Sequence, residues 1–198
     1  MREWRRWAGQ TVAVLASGPS MTAEDALYVR GRARVITVNS TWLLAPWADV
    51  HYTNDHDLLE AQLPAMRREA MGEIWCGHPT WRHPAVRSIP FDKTARGVTR
   101  RPGVIAWGGN SGYAALNLAY QFGAGRIVML GFDQSDAGGA HWHGEHPEEY
   151  RKGFNFPMWA ERFGEAARDF RRLGVDVVNC SRHTSLACFR MADLESVL

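Results

Sequence analysis

The chain reads as an α/β protein, a three-layer sandwich built on a mostly parallel central sheet. Three observations lead there. Short apolar, β-branched stretches alternate with stretches of helical spacing, the pattern of strand–helix–strand units that lay parallel strands side by side. Almost every apolar stretch ends in small or polar residues, as buried strands do where they leave a sheet. The 198 residues, 45% of them hydrophobic, suffice for one sizeable core, and no internal repeat, low-complexity tract or shift of composition marks a second unit.

The elements follow in order. Thr11–Ala16 (TVAVLA) is uncharged and rich in β-branched residues, a buried strand. Thr22 caps a helix over Ala23–Arg30, with Asp25 where a capping-box acid favours a helix start. Arg34–Val38 (RVITV) is a second strand ending at Asn39-Ser40, and Asp49–Thr53 (DVHYT) a third ending at Asn54-Asp55. Leu58, Leu59, Leu63 and Met66 lie at the spacing of one helical face, and Glu73–Cys76 forms a short fourth strand. Residues 77–108 hold Pro79, Pro84, Pro90 and Pro102, which remove donors and fix the chain; they read as an irregular segment, either a lid or an inert surface loop. Asn110 or Ser111 caps the next helix, which runs to about Phe122, and its small residues Gly112, Ala114, Ala115 and Ala119 permit close packing on a sheet. Arg126–Leu130 (RIVML) is a strand followed by Gly131-Phe132-Asp133. Phe156–Leu173 is an amphipathic helix with Pro157 in its first turn; Trp159, Phe163, Ala166, Ala167 and Phe170 form its core-facing stripe. Gly174 ends it and Val175–Val178 is the last strand. Together these describe one Rossmann-like domain over residues 1–198, with irregular segments at 77–108 and 134–156.

Composition narrows the function. With 23 basic and 21 acidic residues the net charge is +2, too balanced for the electrostatic footprint of a nucleic-acid binder. Met1–Trp7 (MREWRRW) is basic and aromatic, but no long apolar run follows, so neither a signal peptide nor stable membrane insertion is expected; the segment reads as a solvated N-terminus. Cys76, Cys180 and Cys188 are scattered, with no CxxC pair, which suggests neither a disulfide framework nor a thiolate metal site and makes a reducing cytoplasm the default location.

In an open parallel sheet, ligands bind beyond the carboxyl ends of the strands. The residues there are Ser17-Gly18-Pro19-Ser20, Asn39-Ser40, Asn54-Asp55, Gly131-Phe132-Asp133 and Asn179-Cys180-Ser181, all small or polar apart from Phe132. Gly18 permits close backbone approach, and amides near Ser20 and at the Asn110-Ser111-Gly112 helix start suit phosphate oxygens. The Asn39 and Asn54 amides suit a base or ribose. The pattern has the shape of a nucleotide site, although it is neither GxGxxG nor a Walker loop. A second constellation is His141-Trp142-His143-Gly144-Glu145-His146. One of these imidazoles serves as a general base, or the cluster binds a divalent metal, or it is structural. Asp133 and Asp136 lie just upstream, placed to orient a His or hold a cation. Trp107 and Trp142 have two readings: stacking on a sugar ring, or packing in a homo-oligomer interface.

These residues resemble the bacterial lipooligosaccharide sialyltransferases, over most of the chain and in order. SGPS (17–20) resembles that family's Gly-Pro-Ser turn, and Asn39 and Asn54 fall where two of its asparagines contact a cytidine nucleotide. NSGYAALNLAYQFGAGRIVMLGFD (110–133) resembles its Ser-Gly helix, strand and Gly-hydrophobic-Asp run. VDVVNCSRHTSLACF (175–189) resembles its last strand and tail. The resemblance implies a glycosyltransferase that takes a CMP-type nucleotide sugar, needs no metal or other cofactor, and passes the sugar to a glycan or other hydroxyl. It implies His146 as catalytic base, one position further from Gly144 than in the family, with His143 second. It assigns Ser17, Gly18, Pro19, Ser20, Asn39, Asn54, Asn110, Ser111, Gly112 and Asp133 to nucleotide binding. The family's phosphate-binding tyrosines are replaced by Gln134 and Ser135; either Tyr150 substitutes or the function differs. Its acceptor-covering lid is reduced to Asp136–Phe156 and the 77–108 stretch. Two alternatives stand beside this reading. One is a pterin pyrophosphokinase-like enzyme with Mg²⁺ held by Asp133 and Asp136. The other is a non-catalytic nucleotide-binding or virion-associated module.

Overall fold

The computed structural model describes residues 4–135, 137–150 and 153–198. Among the described residues, ten strands and four α-helices appear in the order β1 (Thr11–Leu15), α1 (Ala23–Val29), β2 (Arg34–Val38), β3 (Val50–Thr53), α2 (His56–Glu69), β4 (Glu73–Gly77), β5 (Arg87–Ile89), β6 (Phe91–Asp92), β7 (Ile105–Ala106), α3 (Ser111–Gln121), β8 (Arg126–Leu130), α4 (Phe156–Arg172), β9 (Asp176–Asn179) and β10 (Arg190–Met191). Eight of the strands form one sheet in the order β10-β9-β8-β1-β2-β3-β4-β5, every pairing parallel. The architecture is the expected α/β Rossmann-like sandwich.

Alternation along the strands assigns the layers. Val12 and Val14 of β1, with Ile36 and Val38 of β2, join a core shared with Ala115 and Leu118 of α3 and Phe163 and Phe170 of α4. Ala13 and Leu15, with Val35, point the other way and pack with Ala26 and Val29 of α1. Leu59, Leu63 and Met66 of α2 cover Ile74 and Cys76 of β4. Both faces are therefore covered, as an all-parallel sheet demands.

Capping follows the side-chain chemistry. Thr22 accepts from the Asp25 amide, Asp55 from Leu58, Asn110 from Tyr113 and Asn155 from Met158. No helix among the described residues is long and apolar enough to cross a membrane.

The structure corrects three sequence expectations. The N-terminal segment is solvated only in part: Arg5 and Arg6 are exposed, whereas Trp4 and Trp7 are anchored to the core. Trp7 is 5% exposed, Trp4 packs against the core, and the Arg6 guanidinium lies 4.1 Å over the Phe122 ring while pairing with Glu73 at 2.7 Å. Residues 1–3 of that segment lie outside the described residues. Residues 77–108 are not wholly irregular: β5 extends the main sheet, and β6 and β7 pair into a small two-stranded sheet. A tenth strand, β10, adds a parallel edge that no sequence signal announced.

Candidate functional site at the switch point of the sheet

From β1 the chain winds outward through β2, β3, β4 and β5, then returns through α3 to place β8 on the other flank of β1. The winding direction reverses between β1 and β8, and a crevice opens there beyond the strand ends. A pocket of about 440 Å³ occupies it, the size of a small-molecule site.

The turn after β1 is tied down from inside. The Ser17 hydroxyl donates to the Val38 carbonyl at 3.1 Å and pairs with the Thr41 hydroxyl at 2.9 Å, sewing β1 to the end of β2. Ser20 donates its amide (2.8 Å) and its hydroxyl (2.6 Å) to the two carboxylate oxygens of Asp133, after β8. A Cβ at Gly18 would overlap the Gly131 carbonyl oxygen and sit 2.7 Å from the Asp133 carboxyl carbon. Gly18 is thus required by the closeness of two strand ends, and Ser17 and Ser20 tie those ends together, whatever binds above them. Burial pushes the Asp133 carboxyl up from its ordinary range, against the lowering effect of the Ser20 bonds.

Above this floor the predicted residues converge. Ser17, Gly18, Pro19, Asn39, Asn54, Asn110, Ser111, Gly112 and Asp133 all line the one pocket. Ser20 alone of that set lies outside the lining, its polar groups spent on Asp133. Asn39 opens the 3₁₀ turn after β2 with φ of 52° and accepts from the Thr53 hydroxyl at 2.8 Å. The Asn54 amide N–H donates to Ser111 Oγ at 3.1 Å, joining the end of β3 to the start of α3. Asn54 Oδ1 accepts from the Tyr52 hydroxyl, while its Nδ2 is buried with no hydrogen-bond partner.

The histidine loop is pinned to the same rim. The Trp142 amide donates to the Ser17 carbonyl at 3.2 Å and its indole N–H to the Thr41 hydroxyl at 3.2 Å. Trp142 is therefore a tether for the loop. The rings of His141, His143 and His146 form a triangle with centroids 4.7–5.0 Å apart. His141 and His146 line the pocket and His143 does not. Burial lowers the basicity of all three, His143 to about 4; the Asp55 charge opposes the effect at His146. Burial thus favours the neutral form of each imidazole. Among the described residues no group of three or more His, Cys, Asp or Glu is arranged to hold a metal ion. Asp136 lies outside the described residues.

Sequence reasoning missed part of the lining. His56 and His78 stand at the ends of β3 and β4, with ring centroids 4.8 Å apart. Phe91 joins Trp107 at 6.1 Å, and Phe154 stacks on Phe156 at 5.2 Å, with Trp159 edge-on to both. Trp159, the first residue of the α4 stripe, faces the pocket as well as the core. Its indole nitrogen is buried without a partner and would lie 3.3 Å from a Cβ at Gly109, a residue with φ of 74°. The helical period of α4 was a true signal for burial. It carries no information on where the sheet ends and the pocket begins.

Fold and site together define a class: a Rossmann-like α/β protein with a small-molecule pocket at its topological switch point. No family model matches this chain, and no curated protein or solved structure matches it at a significant level.

Proposed function

We propose that the chain is a glycosyltransferase-like enzyme that takes a CMP-type nucleotide sugar in the switch-point pocket and passes the sugar to an acceptor hydroxyl. One observation carries the reading: residues from five separate turns, singled out by sequence for a nucleotide, share one pocket with His146. Ser17, Gly18, Pro19, Ser111 and Gly112 border the phosphate, and Asn39 and Asn54 the base or ribose. His146 accepts the proton of the acceptor hydroxyl as its oxygen bonds to the anomeric carbon. The bond from that carbon to the phosphate oxygen breaks, and the nucleotide leaves with the electron pair. Burial favours this role by keeping His146 neutral. Tyr150 borders the same pocket and is placed to assist. Positioning and charge stabilisation supply most of the rate on this reading. With Cys76, Cys180 and Cys188 all free, the reducing cytoplasm is the location this reading takes.

A thermal-shift panel of CMP, CDP, UDP and ATP, each with and without Mg²⁺, tests the reading, because a ligand bound only to the folded state raises the melting temperature. CMP active without metal is the expected result. A response confined to ATP with Mg²⁺ supports the phosphoryl-transfer alternative, and silence across the panel the non-catalytic one. His146→Ala should lower transfer at least about 100-fold, the scale of general-base catalysis, while leaving CMP affinity nearly intact. Equal losses in both would refute the base assignment.

A further inference from the structure

Among the described residues, two that are not glycine hold φ in the left-handed region, Asn39 at 52° and Gln134 at 51°, and both line the switch-point pocket. At Asn39 the conformation has local support. Asparagine tolerates it better than most residues, and its Oδ1 accepts from the Thr53 hydroxyl. Gln134 has neither advantage. Its side chain is one methylene longer than that of asparagine, and its Oε1 is buried with no hydrogen-bond partner. One position thus carries two costs, a strained backbone and a desolvated acceptor. The strain is imposed by a neighbouring loop. The Ser185 hydroxyl donates to the Gln134 carbonyl at 2.5 Å, the Ser185 amide to the Asp133 carbonyl at 2.8 Å, and the Thr184 hydroxyl to the Phe132 carbonyl at 2.7 Å. These bonds fix the main chain and leave the carboxamide unused by the fold.

We propose that Gln134 is a specificity-determining residue for the transferred sugar, and that its Oε1 accepts a hydrogen bond from a hydroxyl of that sugar. This rests on the glycosyl-transfer reading above. Strand order says why the sugar is the part it meets. Gln134 follows β8, on one flank of β1, whereas Asn39 and Asn54 follow β2 and β3 on the other flank. The Ser17-Gly18-Pro19 turn at the end of β1 lies between them. A nucleotide sugar with its base over Asn39 and Asn54 and its phosphate at that turn brings the group beyond the phosphate to Gln134. An acceptor oxygen answers a hydroxyl and not a phosphate, so Gln134 does not repeat the task of the tyrosine it replaces. The terminal amide torsion is broad, and the oxygen reaches the sugar with the backbone held still. Binding then fills the acceptor that folding left empty, at little cost in loop ordering.

The test titrates CMP and CMP-N-acetylneuraminate by calorimetry into the wild type, Gln134→Gly and Gln134→Met. Gly removes both the strain and the carboxamide; Met keeps the length and removes only the hydrogen bonding. We expect the wild type to bind the nucleotide sugar more tightly than CMP. Both variants should lose about tenfold in affinity for the nucleotide sugar, the scale of one hydrogen bond whose partner is left unpaired, with CMP affinity unchanged. Gln134→Gly should also raise the melting temperature of the free protein, since glycine adopts this φ without strain. Undiminished affinity for the nucleotide sugar in the variants, a loss confined to Gln134→Gly, or a parallel loss for CMP overturns the proposal and leaves the nucleotide reading standing. So does a wild type for which the sugar adds nothing to CMP affinity. A lower melting temperature in Gln134→Gly would show that the side chain serves the fold, and overturns it as well. A wild type that binds neither probe overturns both readings.

Discussion

Ser20 and Asp133 illustrate how single residues set the floor of the pocket. Two hydrogen bonds from one serine to one buried carboxylate hold the ends of β1 and β8 at a fixed distance. Asp133→Ala leaves the Ser20 amide without its acceptor, and we expect a loss of about 1–3 kcal/mol in urea denaturation. Gly18→Ala forces a Cβ onto backbone and carboxylate that cannot withdraw; overpacking of this kind costs about 1–3 kcal/mol, and CMP affinity should fall with it as the turn shifts. His51 makes a prediction of a different sort. Buried on β3, with Nδ1 2.8 Å from the Thr37 hydroxyl, it titrates at about 4 because burial disfavours its charged form more than a hydrogen bond to the Pro46 backbone favours it. In the unfolded chain its ordinary value is 6.5. Below 6.5 the unfolded chain takes up a proton that the folded ring refuses, so stability is lost as pH falls from 6.5 to 4 and levels off beneath. The loss approaches about 3 kcal/mol, at about 1.4 kcal/mol per pH unit. Denaturation curves between pH 4 and 7 should show the slope, and His51→Asn should flatten it.

The elements show where sequence legibility stops. Strands β1, β2 and β8 and helices α3 and α4 were readable because local pattern and caps agree, as with Asn110 before Ser111 and Pro157 in the first turn of α4. The stretch 77–108 was not, because its order comes from partners distant in the chain. Asn117 of α3 accepts the amides of Thr99 (3.2 Å) and Ala106 (2.7 Å) and returns its own N–H to the Thr99 carbonyl. Gln121, one turn on, donates to the carbonyls of Arg101 and Val104. One polar edge of a helix thus substitutes for sheet pairing along residues 99–104 and braces β7 beyond them. Its prolines signalled only that the segment would not be regular. We expect Asn117→Ala to cost about 1–3 kcal/mol, since it strands two amides, and to speed hydrogen exchange at Thr99 and Ala106 before the rest of the core opens. The candidate site was legible in the same partial way. Small polar strand ends announce a rim, but His56, His78 and Trp159 carry no local mark of facing it.

At the scale of the whole molecule, strand order was the property least accessible to sequence. Which strands neighbour one another depends on crossovers, not on any stretch read alone. The order places the pocket, because only the reversal between β1 and β8 leaves a crevice. The N-terminal segment closes the assembly at the far end of the sheet, with Trp7 wedged at 4.7 Å against Phe122. Trp7→Ala should cost about 3–5 kcal/mol in denaturant unfolding without altering CMP affinity, which separates the anchoring end from the binding end. The central position of β1 has one more consequence. Ala13 lies between Val35 and Val128, so during synthesis β1 gains its second neighbour only after Arg126 has emerged. Until then an uncharged strand presents a bare flank, the kind of surface that recruits chaperones or seeds inclusion bodies, and fragments ending short of β8 should be recovered as aggregate.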